Sequence, residues 1–127
     1  MTLLKDIKVR VGDTWSSPTW AVLLPGGFGV DLTDGWTLKA SVRRHRADGG
    51  AEVHEWAAPD GLILGQAEVT LANGTEVTTS TVALHHTGAE SAGWPIFVGP
   101  WDFEISKGDD DYTIAGGTFR AFREVTS

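Results

Sequence analysis

The sequence predicts an all-β fold: an antiparallel β-sandwich of about seven to eight strands with one short helical turn, as one domain over residues 1–127. Three observations carry this. Helical periodicity is nearly absent. Sixteen Gly and five Pro punctuate short β-rich runs, the rhythm of sheets joined by turns. In Trp36-Thr37-Leu38-Lys39-Ala40-Ser41-Val42-Arg43, apolar and polar residues alternate strictly, as they do on a half-buried strand whose successive side chains point to opposite faces.

Taken in order, strands are expected near 3–11, 18–24, 36–44, 51–57, 67–72, 77–85, 96–106 and 112–125. The strand at 36–44 is entered through Asp34-Gly35, a turn pair in which Gly accepts positive φ and Asp bonds its own backbone. The alternation places Trp36 in the core. Trp101-Asp102-Phe103-Glu104-Ile105-Ser106 repeats the pattern and places Trp101 there too. Pro25-Gly26-Gly27 and Asp48-Gly49-Gly50 read as turns, and Asn73-Gly74 as a hairpin turn. Asn73-Gly74-Thr75 is formally a glycosylation sequon, but the turn reading is preferred. Gly116-Gly117 lies inside an expected strand and marks a bulge. Thr87-Gly88-Ala89-Glu90 has the Thr-x-x-Glu spacing of a capping box, so the helical turn belongs there, ended by Gly93 before Trp94-Pro95.

A chain of 127 residues suffices for a core without staples. Cysteine is absent, which removes disulfides and thiolate metal sites. The net charge of −7 argues against a nucleic-acid partner, which calls for a cationic surface. Arg43-Arg44-His45-Arg46 is the one basic run and is assigned to a strand end and its loop. The apolar run Trp20-Ala21-Val22-Leu23-Leu24 is far short of the ~20 residues of a membrane helix. Met1–Gly12 lacks the apolar centre of a secretory signal. No membrane partner is expected.

Candidate sites are few. Adjacent His85 and His86 on a strand point to opposite faces and are not expected to share a metal ion. Asp109-Asp110-Asp111 lacks the spacing of a calcium loop and reads as a solvated hairpin. No nucleophile elbow, HExxH or phosphate-cradling loop occurs, so no enzyme activity, metal or cofactor is expected. Among the six tryptophans, Trp15, Trp56 and Trp94 lie beside turns or polar residues. Packing into the core or against a sheet edge is the favoured reading for each; the alternative makes them contacts, either for an assembly interface or for stacking on a sugar ring.

The order of motifs supports a resemblance. Arg10-Val11-Gly12-Asp13-Thr14-Trp15 is followed by Val30-Asp31-Leu32-Thr33-Asp34-Gly35-Trp36 and Ala40-Ser41-Val42-Arg43. The Thr-Gly-Ala-Glu turn at 87–90 then precedes Trp101-Asp102-Phe103-Glu104-Ile105, and Gly117 with Glu124-Val125-Thr126 closes the chain. Over most of its length the chain resembles small immunoglobulin-like β-sandwich proteins from the structural gene clusters of tailed bacteriophages. It is also similar to the N-terminal domain of upper baseplate proteins that anchor receptor-binding fibres. The resemblance implies a non-enzymatic virion protein, assembled in the bacterial cytoplasm, that docks in multiple copies on other virion subunits. In the baseplate relatives a fibre-forming segment follows this domain, whereas this sequence stops at Thr126-Ser127. The expectation is therefore a tail or baseplate accessory or adaptor, with capsid decoration of the same particle as the alternative. From another class, the alternative is a carbohydrate-binding module that meets the host surface through exposed Trp. The resemblance brings no functional residues with it.

Overall fold

The computed structural model describes residues 3–44 and 51–123, and these form an all-β structure. The chain order begins with β1 (Leu3–Leu4), β2 (Ile7–Arg10), β3 (Trp15–Ser16), β4 (Trp20–Ala21), β5 (Leu23–Leu24) and β6 (Phe28–Gly29). It continues with β7 (Thr37–Arg43), β8 (Glu52–Trp56), β9 (Leu62–Thr70) and β10 (Glu76–His86). Helix α1 (Gly88–Ser91) precedes β11 (Phe97–Lys107) and β12 (Asp110–Phe122). Each of the eight expected runs holds a strand. The described residues nevertheless contain twelve segments rather than seven or eight. The first run breaks at Lys5-Asp6 and the second at Val22, while β3 and β6 are additional short pairings. The turn expected at Asp48-Gly49-Gly50, and His45-Arg46 of the basic run, lie outside the described residues.

Two sheets bury one core between them. The first has the order β1-β12-β11-β7-β8, with β2 also paired to β12. In the second, β10 is central, with β9 on one side and β3 and β4 on the other. β5 and β6 form a separate small ribbon. Alternation works as the sequence suggests along β11, where Phe97, Trp101, Phe103 and Ile105 are buried and Val98, Pro100 and Glu104 are exposed. These residues meet Trp20, Val22, Leu62, Val82 and Leu84 from the second sheet in one cluster. Burying side chains of this size stabilises by roughly 1.5–3 kcal/mol each before entropy is counted.

Three expectations need correction. First, the pairing is not wholly antiparallel, because β1 and β2 run parallel to β12. Neighbours joined by hairpins are antiparallel; strands at opposite ends of the chain are free of that constraint, since the whole domain serves as their crossover. Second, Trp36 precedes β7 and is half-buried. It sits beside the β11–β12 hairpin, with Lys107 Nζ 5.8 Å from the ring centroid and the Tyr112 ring at 6.2 Å. Third, the bulge in β12 falls at Ile114. Pairing passes from Phe103↔Ala115 to Glu104↔Thr113, and the extra residue shifts the inward parity from Tyr112 and Ile114 to Phe119 and Ala121.

Gly116 and Gly117 serve a different purpose: they let β1 and β2 cross closely. Lys5 N donates to Gly116 O at 2.9 Å, and Trp101 Nε1 donates to Lys5 O at 2.8 Å. A Cβ on Gly117 would fall onto the Lys5 carbonyl oxygen. Gly117→Val is therefore expected to displace that carbonyl and leave the largely buried Trp101 N–H unpaired. The expected cost is about 1–3 kcal/mol, read as a lower urea midpoint with an unchanged slope. A midpoint equal to wild type would contradict this account of the crossing.

The helical turn matches its sequence signature. Glu90 N donates to Thr87 Oγ1 at 3.1 Å and Thr87 N donates to Glu90 Oε1 at 2.9 Å, the reciprocal pair of a capping box. The two hairpin turns are also where expected. Gly74 (φ 87) lies between β9 and β10, and Gly108 (φ 61) lies between the paired residues Lys107 and Asp110.

Candidate functional site

The three candidate tryptophans converge, but inside the protein. Trp56 is 0% exposed and Trp94 6%, while Trp15 is partly buried against the core. Of the two readings open to them, packing and surface contact, Trp56 and Trp94 take packing. The polar neighbours His54 and Glu55, and the turn residues Gly93 and Pro95, describe the local chain and not the side of the sheet each ring takes. All six tryptophans are described, and none is exposed. None of the six therefore offers an exposed stacking face for a sugar ring.

What the rings surround is His86, the second of the adjacent histidines. It is fully buried at the end of β10. Its centroid lies 4.6 Å from Trp94, 5.4 Å from Trp15, 5.9 Å from His54 and 6.3 Å from Trp56. Trp56 Nε1 donates to His86 Nδ1 at 3.3 Å. This acceptor role puts the imidazole proton on Nε2, a buried atom with no hydrogen-bond partner in the structure. Burial, reinforced by nearby His54, pushes the His86 pKa down to about 4. Burial also lowers the pKa of His54. The cluster is neutral packing at pH 7. Its signal was present in the sequence: Val82, Leu84 and His86 share one parity of β10. His85 points the other way and is hydrogen-bonded to Ser16 Oγ at 2.7 Å.

The outer face of the first sheet offers a different kind of site. Strand register sets Val98 of β11 opposite Arg120 of β12, and Arg120 opposite Lys8 of β2. All three are exposed, whereas Phe97, Phe119, Ala121, Ile7 and Val9 on the other parity are buried. One row across three strands is therefore apolar at one end and cationic along the rest. Ile96, 61% exposed, and Val98, 37% exposed, widen its apolar end. Phe122 lies in the next row opposite Arg10, and Lys8 Nζ sits 4.9 Å from the Phe122 ring centroid. Arg10 pairs with Asp13 at 4.0 Å. A shallow recess of about 240 Å³ opens between β2 and β12, lined by Asp6, Ile7, Lys8, Thr118 and Arg120. Asp6 Oδ1 accepts from Thr118 N at 3.2 Å, so that carboxylate is partly engaged.

The opposite end of the β11–β12 hairpin is acidic. Asp109, Asp110 and Asp111 are exposed at the hairpin tip. Beside them Asp34 meets Lys107 at 3.8 Å. Asp31, in the same loop region, has its pKa lowered by hydrogen bonds from the Thr33 side chain and backbone. A second recess, about 310 Å³, is lined by Asp31, Thr33, Leu64, Gly65, Gln66 and Ser80. Ser80 Oγ there accepts from Leu32 N at 2.9 Å, which commits it to holding the loop. Among the described residues, no group of three or more His, Cys, Asp or Glu is placed to hold a metal ion. No helix among them is long and apolar enough to cross a membrane.

No protein-family model matches the chain, and no curated protein matches it in sequence.

Proposed function

We propose that this protein is a non-enzymatic structural subunit of a tailed-bacteriophage virion, an immunoglobulin-like β-sandwich that docks in multiple copies as a tail or baseplate accessory. The strand order supports the fold reading. β12-β11-β7-β8 corresponds to the G-F-C-C′ order of variable-type sandwiches, and β4-β10-β9 to their B-E-D order. The observation that carries the functional reading is the exposed row Val98–Arg120–Lys8 with Ile96. In a chain of net charge −7, an outward row that is both apolar and cationic has the character of a contact patch, with side chains that steer and fix a partner.

The test uses a tagged full chain in bacterial lysates containing assembled particles. Wild type is expected to co-sediment with particles, and Lys8→Glu/Arg120→Glu to fall at least ~10-fold below it, since like-charge juxtaposition costs a contact more than 1.4 kcal/mol. Both positions are surface-exposed, so the stability of the isolated variant should stay within about 0.5 kcal/mol of wild type. Equal co-sedimentation of the two proteins, or a wild type that never travels with particles, would overturn the proposal.

A further inference from the structure

We infer that the outward row Val98–Arg120–Lys8 receives the acidic β11–β12 hairpin tip of a second copy of this chain, so that subunits join head to tail. The inference rests on the docking reading above and names the partner.

Charge and length together select this occupant. The tip presents three consecutive exposed carboxylates, Asp109 in the two-residue turn with Gly108, and Asp110 and Asp111 just beyond it. The row presents Lys8 and Arg120 on adjacent strands, with exposed Arg123 just past the end of β12. The tip and two members of the row, Val98 and Arg120, belong to one hairpin and occupy its opposite ends. β11 spans eleven residues, and at about 3.3 Å per residue the two ends stand roughly 30 Å apart. That is several Debye lengths at physiological salt, so the tip cannot neutralise the row of its own chain. A second copy can.

The shapes agree as well. The tip is narrow, because only Gly108 and Asp109 lie between the paired residues Lys107 and Asp110. The row is a sheet face with a shallow recess beside Lys8 and Arg120. For a chain carrying −7, this orientation sets the acidic end of one copy against the cationic row of the next and avoids acid-to-acid approach. A tip-to-row contact uses two different surfaces, so it is heterologous. It propagates into a ring where the rotation closes and into a filament where it does not. Both are forms that a multi-copy virion component adopts. Exposed ion pairs are individually weak and salt-screened, so the contact alone is expected to be weak and strongly dependent on ionic strength.

The test is sedimentation equilibrium of the purified full chain in 50 mM and 500 mM NaCl. Wild type is expected to self-associate at low salt and to weaken at least ~10-fold at high salt. The row variant Lys8→Glu/Arg120→Glu and the tip variant Asp109→Lys/Asp110→Lys/Asp111→Lys should each be monomeric alone, with circular dichroism spectra like wild type. Mixed in equal amounts they should associate again, because each then offers the charge the other lacks. A monomeric wild type at low salt, association that survives either variant, or a mixture that stays monomeric would each overturn the inference. The virion reading fails separately. Self-association without particle binding contradicts the virion role, and particle binding without self-association contradicts only the choice of partner.

Discussion

Replacing Trp56 with alanine is expected to lower the unfolding free energy by about 3–5 kcal/mol, the range for removing a large buried aromatic. The side chain is fully buried, and it touches both the core and the histidine cluster. Its ring lies 5.7 Å from Phe119 and 5.2 Å from His54. Its N–H donates to His86 Nδ1. Truncation opens a cavity next to Phe119 and also strips a buried acceptor of its donor, a second loss of about 1–3 kcal/mol where no water enters. Trp56 further anchors β8, an outer strand paired only through β7, with Trp56 opposite Ala40. Against a typical total of about 5–15 kcal/mol, the variant is left marginal. Trp36→Ala, at a half-buried position, should cost clearly less. Urea unfolding at pH 7.5 measures both. A Trp56→Ala loss below about 1 kcal/mol would contradict the core assignment.

Acid is expected to destabilise the protein before its carboxylates titrate. His86 has an ordinary value of 6.5 and is held at about 4 in the folded state. Below pH 6.5 the unfolded chain therefore binds a proton that the folded chain refuses, and stability falls as pH falls. The loss starts near 6.5 and levels off below about 4, reaching on the order of 3 kcal/mol for this side chain. His54, also lowered by burial, acts in the same direction. Glu90 is lowered chiefly by its hydrogen bond with the Thr87 backbone, and Asp31 by Thr33. Their stabilising effects are present above the carboxylate range and disappear only as pH falls through it. The two windows are therefore distinguishable. Urea midpoints measured from pH 7.5 to 4.5 should decline for wild type and much less for His86→Asn, whose Oδ1 stands where Nδ1 does and can accept from Trp56 without titrating in this window. Parallel declines in the two proteins would rule out His86 as the source.

Local features of the fold were legible in the sequence, and long-range ones were not. Alternation in β7 and β11, the Thr87–Glu90 capping box and the Gly74 and Gly108 turns depend on neighbours a few residues apart. The start of β9 was missed because Leu62-Ile63-Leu64-Gly65 does not alternate; its order comes from pairing with β10. The parallel closure of β2 on β12 joins Lys8 to Arg120, residues that no local pattern connects. For the same reason the candidate docking row escaped notice, since its three members come from three strands. Polar neighbours in sequence leave Trp56 and Trp94 open between packing and surface contact, because they do not say which side of the sheet each ring takes. The parity of Val82, Leu84 and His86 would have located the cluster they pack into.

The most direct test of the docking account is hydroxyl-radical footprinting of the chain, free and in purified particles. Ile96, Val98 and Phe122 should be oxidised readily in the free protein and become strongly protected in the particle, while Ile63 on β9 keeps its free-protein rate. Unchanged oxidation of Ile96, Val98 and Phe122 in particles that contain the chain would contradict it.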